Sequence, residues 1–599
     1  MVQNEIRGKI KKTYKTLGRI NVLGFIAAAA FVILIGRLFY LQAVKGGHYS
    51  KIAENNCVSL VKLKAPRGEI YDRNYVKLVA NKPSYMLGII PYHFARNADQ
   101  ETAVNRIAAM ISLAPEEIEK RLKRRPEYIL EPVLIKRDID DRELSFLEEI
   151  KNEISGITIL HEPKRHYDYG NAASHVLGYV SEVSEEQLKM KRFEKYSAGD
   201  IIGQAGVESF YDREVRGKDG AVYILTDAQG RQKEIMETIS PKPGRNLVLT
   251  IDSRLQRFTE SLLESKKIKG VVIASEPRTG EILCMVSKPD FDLMHFSGRI
   301  NAREWKKLIR NKDNPITNRA VQGLYSPGSI FKIPVGCGAL EDKINEPSTS
   351  YLCEGIHWIK TWPYKCWRRS GHGWVDFNRS IAESCDVYFY KSGIAMTVEG
   401  LHKYALMFGL GEKTGIDLPG EKGGVVPSRE WKRRVARSPW FPGNTVMMSI
   451  GQGYITSTPI QILNLINVMA NDGYAVTPRV LKAVTADDRK IVRRTESKKL
   501  FEIKISKKNI DLMKRALRLV VSGGRGTGAK SRVQGIRVAG KTATVENPHG
   551  ENHAMFVAYA PYEKPEISVY VLVEHGGGGG DQAAPIAKEV LEYYLKVLK

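Results

Sequence analysis

The sequence predicts an α+β chain in three parts: a single N-terminal transmembrane helix, an extended mixed domain, and a larger domain in which a sheet is flanked by helices. Three observations predict it. One long apolar run stands near the N-terminus. A Pro/Gly break at Pro241-Lys242-Pro243-Gly244 separates two stretches of different texture. After the break, strand patterns come first, helical patterns fill the middle and strand patterns return at the end, as in a sheet closed by both chain ends.

The apolar run extends from Ile20 to Leu41, with an unbroken core from Val22 to Gly36. About 20 apolar residues cross a bilayer. Arg37 stands near the outer end, where a long side chain can snorkel, and Tyr40 fits an interfacial belt. Arg7, Lys9, Lys11, Lys12, Lys15 and Arg19 precede the span against one acid, Glu5, which orients the N-terminus inside. Arg37-Leu38-Phe39-Tyr40 is no small-residue cleavage site, so the run reads as a retained anchor and not a signal peptide. The expected place is the cytoplasmic (inner) membrane, crossed once, with the C-terminal bulk periplasmic or otherwise extracytoplasmic. At 599 residues the chain has room for two or three domains. The formal net charge of +25 could suit nucleic acid, but no zinc-finger array, helix-turn-helix or aromatic-basic sheet motif accompanies it. Proteins facing anionic lipid or polymer surfaces are basic too.

The expected divisions are a basic tail over residues 1–19, the span over 20–42, a structural arm over 43–240 and a larger domain over 241–599. In the arm, Tyr85 to Pro91 reads as a strand, and Pro115 to Arg124 and Asp141 to Ile154 read as charged helices. Past the break, Asn246 to Ile251 reads as a strand and Ser253 to Leu263 as a helix. Gly270 to Glu276 and Glu281 to Val286 form a hairpin about Arg278-Thr279-Gly280. Ile330 to Leu340 reads as a buried helix, and Ile381 to Tyr390 as a second one. Helices are expected around Val398 to Met407 and Pro459 to Met469. Ile536 to Val545, His553 to Tyr559 and Ile567 to Val573 alternate like strands, and a helix from Ala584 to Val597 ends the series.

Three short patterns carry chemistry: Ser329-x-x-Lys332, Ser384-x-Asp386 and Lys541-Thr542-Ala543. Ser and Lys three apart share a helical face, and a serine beside an amine that can take its proton is an activated nucleophile. Pro334 is tolerable only near a helix start, so the helix should begin close to Ser329. The spacing recurs by chance at Ser59 to Lys62. A full Lys-Thr-Gly also occurs at Lys413-Thr414-Gly415, but between a helix end and a turn-rich stretch. Lys541 stands in strand-like sequence, late in the chain.

These patterns in this order resemble penicillin-binding proteins and serine β-lactamases. Arg67-Gly68 to Arg73-Asn74 and Gly203 to Glu208 resemble class B penicillin-binding proteins, and the S-x-D form with Gly371-His372-Gly373 resembles their elongation type, penicillin-binding protein 2. The resemblance implies a β-lactamase-like transpeptidase domain on a pedestal, which crosslinks peptidoglycan stem peptides and is a target of β-lactams. It implies Ser329 as nucleophile, Lys332 as its base, Ser384 as proton relay beside Asp386, and Lys541 with Thr542 holding the substrate carboxylate. Backbone N–H groups of Ser329 and Thr544 would form the oxyanion hole. Implied partners are a RodA-like glycosyltransferase of the SEDS family and rod-shape scaffold proteins. Ala543 replaces the family's usual glycine, which bears on substrate fit. A membrane-tethered β-lactam sensor or β-lactamase, or a catalytically weak scaffold of the wall-synthesis complex, are the alternative readings.

Of six cysteines, Cys57, Cys284 and Cys337 read as small buried hydrophobes. Cys353, Cys366, His372 and Cys385, spaced C-x12-C-x5-H-x12-C, offer three thiolates and an imidazole, the closed tetrahedral set that structural zinc prefers. A Cys353–Cys366 disulfide is the alternative. The resemblance favours the metal, since elongation-type relatives can carry one at this loop.

Overall fold

The computed structural model describes residues 23–47, 58–123, 132–197, 199–226, 232–296, 302–486, 488–547 and 550–599. The basic tail and Cys57 lie outside these residues. The chain forms two compact units. One comprises residues 1–64, 83–162 and 219–241, the other 65–82, 163–218 and 242–599.

In the first unit, Leu23–Val44 is a 22-residue helix of mean hydropathy 2.1 with none of its apolar window buried, as a lipid-facing span requires. Elsewhere in this unit, residues 85–89 of the strand Lys77–Ile89 pair antiparallel with Val133–Ile139. The helices Gln100–Met110, Pro115–Leu122 and Asp141–Ile150 pack on a core that includes Leu87, Ile107, Ile135 and Leu147. Asp140 and Glu143 form a reciprocal capping box at the start of the last of these. The chance Ser59-x-x-Lys62 copy falls on the strand Val58–Leu63, which lacks the helical face that spacing needs.

In the second unit the two pedestal patterns meet. The Arg67 guanidinium lies 2.8 Å from the Glu208 carboxylate and 2.9 Å from that of Asp212, and Arg165 reaches Glu208 at 2.6 Å. Glu208 is fully buried, so the two arginines balance a carboxylate that has lost its water. Gly68 has no room for a side chain, because a Cβ there would stand 1.8 Å from the Arg245 carbonyl oxygen.

The C-terminal part of this unit is built on a five-stranded antiparallel sheet. Its strands and the elements over it are, in chain order, β1 (Gly270–Ser275), β2 (Ile282–Lys288), α1 (Lys332–Glu341), β3 (Tyr351–Cys353), β4 (Ile356–Ile359), β5 (Trp362–Lys365), β6 (Gly373–Val375), α2 (Phe377–Ala382), α3 (Asp386–Met407), α4 (Pro459–Ala470), β7 (Ala539–Val545), β8 (His553–Ala560), β9 (Ile567–Val573) and α5 (Ala584–Glu592). The sheet order is β2-β1-β9-β8-β7, so the early hairpin pairs with the last strand and both ends of this region close the sheet, as expected. One face carries the core around α1, α3 and α4, and the other packs against α5. α4 is buried along its whole length.

Two expectations are corrected. Ser329 belongs to a 3₁₀ turn, Gly328–Phe331, and the α-helix proper begins at Lys332. The single helix expected over 381–390 is broken: α2 ends at Ala382 and α3 starts at Asp386. Between them Ser384 takes a left-handed conformation, φ 54°, which a continuous helix cannot hold. The small strands β3 to β6 carry no alternation long enough to read from sequence.

Candidate active site

The turn that carries Ser329 is set by Pro327 and Gly328. Gly328 has φ 54°, and a Cβ there would stand 2.7 Å from Val545 Cγ2 and 3.2 Å from Ala543 Cβ, so only glycine lets the turn lie on β7. Ile330 and Phe331 are buried and anchor the turn, while Ser329 is half-buried and keeps its hydroxyl reachable. Lys332, the first residue of α1, is fully buried. Pro334 falls in the first turn, where its missing N–H removes no helical bond.

Lys332 Nζ donates to Asp386 Oδ1 at 2.7 Å, to the Ser384 carbonyl oxygen at 2.9 Å and to Ser384 Oγ at 3.2 Å. It also lies 5.4 Å from the centre of the Phe389 ring. Lys541, on β7 and fully buried, donates to Ser384 Oγ at 2.8 Å and to the Thr542 carbonyl oxygen at 3.1 Å. Two amines thus flank one hydroxyl, with a single carboxylate beside them. Burial, and then repulsion from Lys332, hold Lys541 well below its ordinary value, against the pull of Asp386. Asp386 stands in the first turn of α3, where the helix dipole favours an anion.

All three sequence patterns therefore converge. Thr542 shares a 2.7 Å hydrogen bond with the Thr527 hydroxyl, and Thr544 is exposed, its Oγ1 accepting from the Gly579 N–H at 3.2 Å. The Ala543 methyl is 2% exposed and faces the Gly328 turn, on the same side of β7 as Lys541 and Val545. The second Lys-Thr-Gly copy stands apart, and its groups are satisfied internally. Thr414 N–H and Gly415 N–H donate to the buried Glu421 carboxylate at 2.7 and 3.0 Å.

One residue that sequence reasoning missed completes the arrangement. The Trp367 backbone N–H donates to Asp386 Oδ2 at 2.8 Å, and its indole N–H donates to the carbonyl oxygens of Glu383 and Ser384 at 3.0 and 3.1 Å. It fixes both ends of the left-handed Ser384 turn. Its only sequence signal is its place beside Cys366.

Cys353, Cys366, His372 and Cys385 are buried, and their ligand atoms all lie within 4.8 Å of one another. Both Cys353 Sγ and Cys366 Sγ stand 3.5 Å from His372 Nδ1. Cys353 and Cys366 are free thiols, not a disulfide. The donor set of three sulfurs and one imidazole nitrogen fits a tetrahedral ion. Hydrogen bonds from Cys385 and His372 pull Cys353 and Cys366 down and leave Cys385 raised. His372 Nε2 is buried with no partner, so Nδ1 is the nitrogen turned to the sulfurs.

Comparison with known proteins agrees with this geometry. Residues 270–592 match the family model of the penicillin binding protein transpeptidase domain, and residues 62–249 match the penicillin-binding protein dimerisation domain. The peptidoglycan D,D-transpeptidase MrdA of Salmonella typhimurium is 31% identical, covering 96% of both chains. The MrdA of Escherichia coli K12 is 28% identical over 94% of this chain and 92% of its own. Among solved structures, the penicillin-binding protein PBP2 of Helicobacter pylori in complex with MreC superposes with a TM-score of 0.79 at 29% identity, over 90% of this chain and all of that one. PBP2 of Pseudomonas aeruginosa in complex with WCK 5153 gives 0.68 at 28%, over 90% and 97%.

Proposed function

The chain belongs to the penicillin-binding protein transpeptidase family, and from that premise we propose that it is a peptidoglycan D,D-transpeptidase of the elongation type, working through an acyl-enzyme on Ser329. The observation that carries this reading is the Ser384 hydroxyl held between two buried lysines, one of which is paired with Asp386. Two buried ammonium groups beside one carboxylate leave an excess positive charge that burial penalises. Burial and Lys332 hold Lys541 well below its ordinary value, so a proton can pass from Lys332 through Ser384 to Lys541 and leave Lys332 free to act as a base.

In the reaction, Ser329 Oγ attacks the carbonyl of the penultimate D-Ala of a stem peptide. The new C–O bond forms as the C–N bond to the terminal D-Ala breaks. Lys332 takes the serine proton, and Ser384 passes a proton towards the leaving nitrogen. Asp386 holds Lys332 beside the Ser384 hydroxyl. Lys541, Thr542 and Thr544 make up the edge of β7 that receives the substrate's terminal carboxylate. Backbone N–H groups of Ser329 and Thr544 face the oxyanion. An amine of a neighbouring stem peptide then attacks the ester, completing the crosslink and freeing Ser329. A β-lactam enters the same first step and remains attached.

Cys353, Cys366, His372 through Nδ1, and Cys385 would hold one structural zinc ion. When bound, it supplies a crosslink between the loop before α2 and the turn carrying Ser384. The acyl transfer itself uses only side chains and backbone. We assign residues 1–19 to a cytoplasmic tail, 20–42 to the anchor, 43–240 to the pedestal and 241–599 to the transpeptidase domain. The protein sits in the inner membrane with its bulk outside the cytoplasm. Its partners are a RodA-like SEDS glycosyltransferase and rod-shape scaffold proteins, the latter supported by the Helicobacter pylori relative solved with MreC. In a reconstituted assay with uncrosslinked peptidoglycan strands, the wild type should release D-Ala and form dimeric stem peptides, and Ser329→Ala should do neither. Crosslinking by Ser329→Ala would overturn the reading.

A further inference from the structure

Four of the seven tryptophans fall between positions 358 and 374. Trp358, Trp362, Trp367 and Trp374 are 57%, 72%, 55% and 65% exposed. A protein surface rarely leaves so much indole in water without a use for it. Looseness does not explain the exposure. β3 pairs with β6 and β4 with β5, and the roots of both pairs are drawn together by the Cys353, Cys366, His372 cluster. In the β4–β5 hairpin, Trp358 pairs with Pro363 and Trp362 with Ile359, so the two indoles project from opposite faces of the ribbon. Trp374 stands opposite Leu352, itself 38% exposed. Lys360, Lys365, Arg368 and Arg369 are exposed on the same segment, with Glu354 the one acid among residues 354–370.

Trp367 ties this segment to the chemistry through its hydrogen bonds to Ser384 and Asp386. Trp367, itself 55% exposed, thereby joins this surface to the turn that carries Ser384. We propose that the segment 356–374 is a binding surface for the saccharide strand of the substrate. The apolar faces of its sugar rings stack on Trp358, Trp362 and Trp374 as the strand passes around the hairpin, and the carboxylates of its stem peptides meet the exposed cations. Rigid indoles lose little entropy on binding, which suits a polymer that must be held and released. This inference rests on the transpeptidase reading and extends it from the peptide terminus to the strand that bears it.

The test uses the full chain in detergent, with two variants, Trp358→Ala/Trp362→Ala and Trp374→Ala. Three probes are titrated: uncrosslinked peptidoglycan strands, the peptide-free hexamer of N-acetylglucosamine, and phosphatidylglycerol vesicles. Wild type should bind the strands and, more weakly, the hexamer. Each variant should bind strands about tenfold more weakly. Its KM for crosslinking should rise with kcat unchanged, and labelling by fluorescent penicillin should proceed at the wild-type rate. Strand binding equal to wild type in both variants would overturn the proposal. Binding of vesicles but not of strands would overturn it in favour of a lipid surface. Normal penicillin labelling of a wild type that binds no strands would overturn this inference alone, whereas a wild type that penicillin cannot label would overturn the transpeptidase reading beneath it.

Discussion

Lys541 donates to the Ser384 hydroxyl at 2.8 Å, although 157 positions separate them in the chain. Lys332 reaches the same oxygen at 3.2 Å from the other side. One hydrogen-bonded network thus joins α1, the turn before α3 and β7.

Lys541 titrates below its ordinary value because it is buried and faces Lys332. Between that lowered value and 10.5, the unfolded chain binds a proton that the folded chain does not, so stability rises with pH through this window. Below the window both states are protonated and the dependence vanishes. Lys541→Met removes the titration. The stability of wild type relative to Lys541→Met should climb by about 1.4 kcal/mol per pH unit inside the window. Denaturant unfolding from about pH 7 to about pH 10 measures it, and a flat or falling difference contradicts the lowered value.

Asp386→Asn removes the carboxylate that Lys332 and the Trp367 N–H share. It leaves Ser329 untouched. Acylation by a fluorescent penicillin should slow by about a hundredfold or more, since the base loses its aim. A rate within a factor of about three of wild type would show that Asp386 does not position Lys332.

Gly328 and Ala543 meet under the nucleophile turn and should answer in opposite ways. Gly328→Ala places a methyl 2.7 Å from Val545 Cγ2 at a positive φ, so acylation should be nearly abolished. Ala543→Gly only removes a buried methyl beside that turn. It should cost about 1 kcal/mol of stability and leave acylation level or faster. Stopped-flow acylation and thermal unfolding read both. A large slowing in Ala543→Gly would mean that the methyl itself shapes the cleft.

Elemental analysis of the purified protein should find about one zinc per chain. Cys385→Ser or His372→Ala should lose it and slow acylation, because the cluster pins the turn that carries Ser384. Metal-free protein with a full acylation rate would remove the metal from the mechanism.

Much of this was legible in sequence, and the limits have physical causes. The five strands of the sheet were readable because they are buried runs or clean alternations. Ser329, Lys332, Ser384, Asp386 and Lys541 were legible because their spacings follow chemistry. The break at Ser384 was not, since apolar residues on both sides read as one helix and a left-handed serine leaves no pattern. Trp367 was invisible because its role is a set of hydrogen bonds to backbone and to a residue of another element. The Lys413-Thr414-Gly415 copy looked equivalent in sequence, and only the fold reveals Glu421 on its N–H groups.

Mass spectrometry after β-lactam treatment tests the nucleophile most directly. Digestion of the treated full chain should yield one modified peptide, with the added mass on Ser329, and no adduct should form in Ser329→Ala. An adduct on Ser384 or any other residue, or one that persists undiminished in Ser329→Ala, would contradict the assignment.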